Sequence, residues 1–200
     1  MGVLSLYLAA GHKKQQNEIS FLKRVAEVLA LGVSRIQAEK KLQFLAYHND
    51  LTKLPNRLLL LDRLRQLILL GKRQVFYSAI IYINFDRFSK INDLFGNSVG
   101  DALLIEIAQR FNCIVRHEDT LAHLGEDQFA ILMTHIKANH NQAMHDIQTL
   151  IHRLQLIIAD DFQIGGHELM ITFCVGIVVN DACKNPDNLL RQAKTAMYQA

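Results

Sequence analysis

The sequence predicts an α/β fold, a central sheet with helices on its faces. Three observations predict it. A run rich in β-branched and aromatic residues, VFYSAIIYINF (Val75–Phe85), stands between helical stretches. Two apolar runs flank the tight sequence GED at 125–127, as in a hairpin. Apolar residues at helical spacing (143, 147, 150, 151, 154, 157 and 158) then lead to a last strand and a last helix.

The first ten residues, MGVLSLYLAA, are apolar but fall short of the roughly 20 a membrane span needs. Basic residues follow them (Lys13, Lys14) instead of preceding them as in a secretory signal, and Leu6 breaks the N-myristoylation pattern. VLSLYLA therefore reads as a strand of some sheet. From about Gln15 to Tyr47 there is no Pro and one Gly. Ile19, Leu22, Ala26, Leu29, Val33 and Ile36 alternate at three and four residues, the spacing of a coiled-coil seam. Lys40 and Gln43 then occupy the seam while Leu42 and Leu45 carry the apolar face one step over, a slip resembling a stutter. Such a helix either packs on its own domain or pairs in parallel with a second copy, passing register from an upstream sensor.

A second helix is expected from about Asn56 to Leu70 after the sequence LPNR, capped by Gly71. The strand Val75–Phe85 comes next, then helices at about Arg87–Leu94 and Val99–Cys113. The hairpin pairs Asp119–Leu124 with Gln128–His135. A helix over Asn139–Ala159, a strand at Leu169–Val179 and a helix from about Pro186 complete the chain, without an internal repeat.

Of 200 residues, 50% are apolar, 20% are charged and only two are Pro, which excludes a disordered, collagen-like or low-complexity chain. Lys and Arg number 22 against 19 Asp and Glu, with no long basic run, so nothing asks for nucleic acid as partner. The nine His show no metal-ligand spacing. Cys113, Cys174 and Cys183 are odd in number and form no CxxC pair, which argues against a disulfide framework and fits a reducing, cytoplasmic compartment.

Three stretches carry the chemistry: HNDLTKLPNR (His48–Arg57), INFDRFSKINDLFGNSVGD (Ile83–Asp101) and RHEDTLAHLGEDQF (Arg116–Phe129). In this order and spacing, over about Leu45 to Ala200, they resemble the GGDEF family, the diguanylate cyclases that join two GTP into cyclic di-GMP. The resemblance implies a mainly antiparallel central sheet flanked by helices. It also implies Mg²⁺ held on carboxylates while a 3′-hydroxyl attacks an α-phosphate.

By that resemblance one metal carboxylate belongs at the end of the strand and the other in the hairpin turn. Here those positions are Asn84 and Gln128. The turn reads Gly125-Glu126-Asp127-Gln128-Phe129, so Glu126 replaces a second Gly. Ser89 stands where the family has a phosphate-facing Lys, Asn49 where it has the Asp of DxLT, and Asn97 where it has a His. Each lost charge-assisted contact is worth about 1.5–3 kcal/mol. Asp86, Asp127 or Glu126 are the available substitute ligands, but strand alternation argues that Asp127 does not reach where Gln128 points. No catalytic position is intact by this reading and no metal is assigned, Mg²⁺ entering only with residual GTP binding.

Asn92 and Asp101 match the residues that recognise the guanine edge, an amide and a carboxylate offering complementary donors and acceptors; the alternative for each is a cap or loop hydrogen bond. Arg116 and Asp119 form RxxD five residues before Gly125, the family's inhibitory-site motif for cyclic di-GMP; the alternative is an ordinary surface pair. Residues 1–44 resemble the end of a GAF sensor domain running into a signalling helix, and residues 45–200 a degenerate GGDEF domain. The chain ends at AMYQA, where the family continues with a Lys and a Gly-Arg-Asn segment. A longer natural protein is therefore expected at both ends, and the resemblance suggests a C-terminal EAL phosphodiesterase. The implied function is an inactive, nucleotide-sensing regulatory domain that binds cyclic di-GMP or GTP and forms a homodimer through its N-terminal helix, with no membrane segment. The alternatives are a weakly active diguanylate cyclase and a structural dimerisation module without ligand.

Overall fold

The computed structural model describes residues 16–71, 77–136, 140–180 and 185–199. The expected strand VLSLYLA and Cys183 lie outside these residues. The chain divides into two units, Met1–Ala46 and Tyr47–Ala200. In the first, one helix, α1 (Gln16–Tyr47), runs unbroken for 32 residues through the proposed seam and its slip. Leu29, Val33 and Ile36 are more than half exposed along it. Among the described residues no helix is long and apolar enough to cross a membrane.

The second unit opens with a loop closed by backbone hydrogen bonds. Asn56 N–H donates to the Tyr47 carbonyl at 2.9 Å and Asn49 N–H to Leu54 at 2.8 Å, while His48 and Pro55 form a β-bridge. Asn56 then caps α2 (Arg57–Gly71), its side-chain oxygen accepting from Leu58 and Leu59 N–H at 3.0 and 3.1 Å. Gly71 is the last residue of that helix.

The remaining elements are β1 (Tyr77–Phe85), α3 (Phe88–Phe95), α4 (Asn97–Ile114), β2 (Thr120–Gly125), β3 (Gln128–Ile136), α5 (His140–Ala159), β4 (Phe162–Ile164), β5 (His167–Leu169), β6 (Phe173–Asn180) and α6 (Pro186–Tyr198). Four strands form one sheet in the order β2-β3-β1-β6, and every neighbouring pair is antiparallel. β1 and β2 therefore run parallel with β3 between them, joined by the α3–α4 crossover, and β3 and β6 are joined by α5 across β1.

Strand alternation splits the core in two. Ala79, Ile81, Ile83 and Phe85 of β1 face Leu103, Ile107 and Phe111 of α4 and Ile147 and Leu154 of α5. Ile80 and Tyr82 face Leu60, Leu64 and Leu67 of α2 and Leu189, Ala193 and Met197 of α6. Both layers are apolar at the spacing that brings one helix face onto a sheet.

The strand expected over Leu169–Val179 is divided. Leu169 ends β5, a separate two-stranded hairpin with β4, and β6 begins only at Phe173. Between them the Thr172 carbonyl accepts from Asp86 N–H at 2.8 Å, which carries the β1–β6 register one pair past Phe85 and Phe173. Gly165 and Gly166 close the hairpin with φ of 58° and 81°, the mirror-image two-residue turn that favours glycine.

Candidate functional site

The three motif stretches meet at one end of the sheet, and His123 joins two of them. Its Nε2–H donates to the Glu126 carbonyl at 2.9 Å, and its Nδ1 accepts from the Thr52 hydroxyl at 3.1 Å. The ring stacks on Phe129 with centroids 4.4 Å apart, and its backbone N–H donates to Pro55. Burial holds the imidazole below its ordinary pKa, so it is neutral. Asn49, in place of the family's Asp, keeps the loop role: its oxygen accepts from Leu51 and Thr52 N–H at 2.9 and 3.0 Å.

Asn84 and Gln128 are register partners on the face covered by α2 and α6. Their side chains nevertheless part. Gln128 Oε1 accepts from the Tyr82 hydroxyl at 2.5 Å and from Lys194 Nζ at 3.5 Å. Asn84 Nδ2 donates to Asp127 Oδ2 at 3.2 Å. Asp127 therefore approaches the strand-end position, while Gln128 points elsewhere, toward Tyr82 and Lys194. The reason is that Asp127 belongs to the turn between β2 and β3, where side chains no longer alternate. Burial pushes its carboxyl above the usual carboxylate range, with the Asn84 bond pulling the other way.

The turn also explains Glu126. Its φ is 50°, in the left-handed region, where a side chain costs about 1–2 kcal/mol relative to glycine. Lys53 and Arg87 share that region, so each motif stretch holds one such residue.

Asp86 lies at the start of the β1–α3 connection, where Oδ2 accepts from the Thr172 hydroxyl at 2.5 Å and Oδ1 from the Cys174 thiol at 3.2 Å. That bond pushes the Cys174 thiol up, with burial adding to it. The Mg²⁺ that the resemblance implies would find one amide, one carboxylate bonded to that amide, and a second carboxylate with both oxygens engaged. Among the described residues no three His, Cys, Asp or Glu side chains gather into a metal cluster. This donor set does not fit a Mg²⁺ pair, which needs hard anionic oxygens. Ser89 is exposed in the first turn of α3 and supplies no cation.

Asn92 and Asp101 lie on α3 and α4, on either side of their junction. Asn92 lies against Gly100, the residue before Asp101, so closely that a Cβ there would overlap its Oδ1. That oxygen is buried without a hydrogen-bond partner, while Asp101 is exposed.

Arg116 and Asp119 line a narrow cleft of about 40 Å³ on the α5 side of the sheet. Asp119 is 8% exposed, and its Oδ1 accepts from Thr134 N–H at 2.8 Å. Burial pushes its carboxyl up, against the Thr134 bond and the Arg116 charge. Two side chains not anticipated from the sequence, Asp146 and Arg153 of α5, complete the lining. The signal was available: 146, 149, 150 and 153 follow the spacing of one helix face, and all four line the cleft.

A sheet of this order with a strand-end hairpin turn and helices on both faces defines a mixed α/β domain with a mainly antiparallel sheet. A model of the family described as diguanylate cyclase, GGDEF domain, matches residues 46–200, and the chain belongs to that family. It is 38% identical over 176 residues to the bifunctional diguanylate cyclase/cyclic di-GMP phosphodiesterase MucR of Pseudomonas aeruginosa, covering 88% of this chain and 25% of MucR. It is 32% identical over 156 residues to the diguanylate cyclase DgcP of Escherichia coli, covering 77% of this chain and 44% of DgcP. The chain thus spans less than half the length of these relatives. Among solved structures, the GGDEF domain of TpbB (YfiN) from Pseudomonas aeruginosa superposes with a TM-score of 0.69 at 29% identity, over 76% of this chain and 87% of that one. The coiled coil and GGDEF domain of DgcB from Caulobacter crescentus, solved in complex with c-di-GMP, shares the fold with a TM-score of 0.76 at 17% identity, over 90% of this chain and 93% of that one.

Proposed function

We propose that this GGDEF domain senses cyclic di-GMP without making it. The observation that carries the reading is the cleft lined by Arg116, Asp119 and Arg153. Two guanidinium groups can grip a phosphate or the acceptor edge of a guanine bidentately, and the carboxylate can accept from guanine N–H. None of these contacts needs a metal. The inactivity is supported by Asn84, whose amide engages Asp127, and by Ser89 and Gln128, which bring no compensating charge.

GTP is held more weakly, by Asn92 and Asp101 alone. The module is cytoplasmic and pairs with a second copy through α1. It follows the end of a GAF-like sensor and a signalling helix, together residues 1–44. It precedes an EAL phosphodiesterase, a reading supported by the two activities in the name of MucR.

Isothermal titration tests the binding. Cyclic di-GMP should bind with or without Mg²⁺, Arg116→Ala and Arg153→Ala should each weaken it about tenfold or more, and Asn92→Ala should leave it nearly unchanged. No heat at any accessible concentration would leave a structural dimerisation module. A second reading, a weak diguanylate cyclase, is favoured by one observation, the approach of Asp127 to position 84. Chromatography of GTP incubations with Mg²⁺ or Mn²⁺ decides it: product lost in Asp127→Ala would establish the cyclase.

A further inference from the structure

We propose a second ligand site, for a small molecule bearing a phosphate monoester, on the face of the sheet covered by α2 and α6. A cavity of about 440 Å³ opens there, within the range of about 300–1,000 Å³ usual for small-molecule sites. Arg57, Arg191 and Lys194 bring three positive charges to its wall and Asp187 one negative charge. Asp187 is already shared between Arg57 at 3.1 Å and Arg65 at 3.6 Å. The uncompensated charge is therefore that of Arg191 and Lys194.

Lys194 Nζ has one long contact, 3.5 Å to Gln128 Oε1, and sits 5.8 Å from the ring centres of Tyr82 and Tyr198. Gln128 Oε1 is occupied by the Tyr82 hydroxyl, so what Gln128 can offer a ligand is its –NH₂. The phenol of Tyr82, pushed up to about 12 by burial, remains a donor. Ammonium, guanidinium and amide thus supply donors on one wall, and Leu124 and Leu190 form an apolar surface beside them.

A donor-rich site with two uncompensated cations selects a dianionic head, and the apolar surface selects a ring or hydrocarbon body next to it. Neither Asn84 nor Asp127 lines this cavity, and the Arg116 cleft lies on the other face of the sheet. The site is thus independent of cyclic di-GMP binding at that cleft.

The test uses the whole chain and three probes, phenyl phosphate, inorganic phosphate and benzoate, each titrated calorimetrically. Phenyl phosphate should bind saturably at one site, about tenfold tighter than either other probe. The exposed Arg191→Gln and the Lys194→Gln variants should each weaken it about tenfold, while Arg116→Ala should not change it. Absence of saturable phenyl phosphate binding, or full retention in the Arg191→Gln/Lys194→Gln double variant, would overturn the site. Equal binding of benzoate would overturn the assignment to phosphate.

Discussion

An amide at position 84 can donate to Asp127, whereas a carboxylate there could only repel it. Asn84→Asp should therefore set two like charges at the 3.2 Å now spanned by a hydrogen bond. Without divalent cation the variant should lose about 1–3 kcal/mol of stability. Mg²⁺ or Mn²⁺ at millimolar level should restore its melting temperature and leave that of the native chain unchanged; a native chain that melts higher with Mg²⁺ would contradict the donor-set argument. His123 makes a second residue-scale prediction. Its folded pKa is depressed by burial, so the stability it lends is complete above about pH 6.5 and declines as the pH falls toward the folded value. Asp119 and Asp127, raised by burial, act with the opposite sign. The contribution of His123 is isolated by subtracting the melting curve of His123→Gln, whose acid loss between pH 6.5 and 5 should be visibly smaller. Asp127 also marks where pattern reasoning stops. Alternation locates Asn84 and Gln128 on one face, but it does not extend into a turn containing a left-handed Glu126.

At the scale of elements, long periodic segments were legible because burial of one face dictates their pattern. The helices expected from about Gln15, Asn56, Asn139 and Pro186 begin at Gln16, Arg57, His140 and Pro186. The β4–β5 hairpin escaped because strands of three residues are too short to show a period of two. Only the Gly165-Gly166 pair announced it. The packing of α6 on β6 rests on Gly176, where a Cβ would overlap the Ala193 carbonyl and the Met197 N–H. These are backbone atoms and cannot swing aside. Gly176→Ala should push the helix off the sheet and cost about 3 kcal/mol or more, read as a lower denaturant midpoint. The same substitution at Gly32, in open surroundings on α1, should leave the second unit's transition where it is.

For the whole molecule, α1 has the length to act as a spacer, 32 residues or about 48 Å. Pairing Leu22, Leu29, Val33 and Ile36 across two copies would remove a continuous apolar stripe from water. Light scattering should find the full chain dimeric and a chain lacking residues 1–44 monomeric with its cooperative melt intact. A monomeric full chain at the highest soluble concentration would refute the pairing. The partition of the sheet has a different consequence. Because successive residues of β1 serve opposite layers, the Arg116 cleft and the Lys194 cavity answer to separate sets of side chains. Effects of Arg116→Ala and Lys194→Gln on stability should add to within about 0.5 kcal/mol. A domain built this way can have one surface rewritten by drift while selection continues to act on the other.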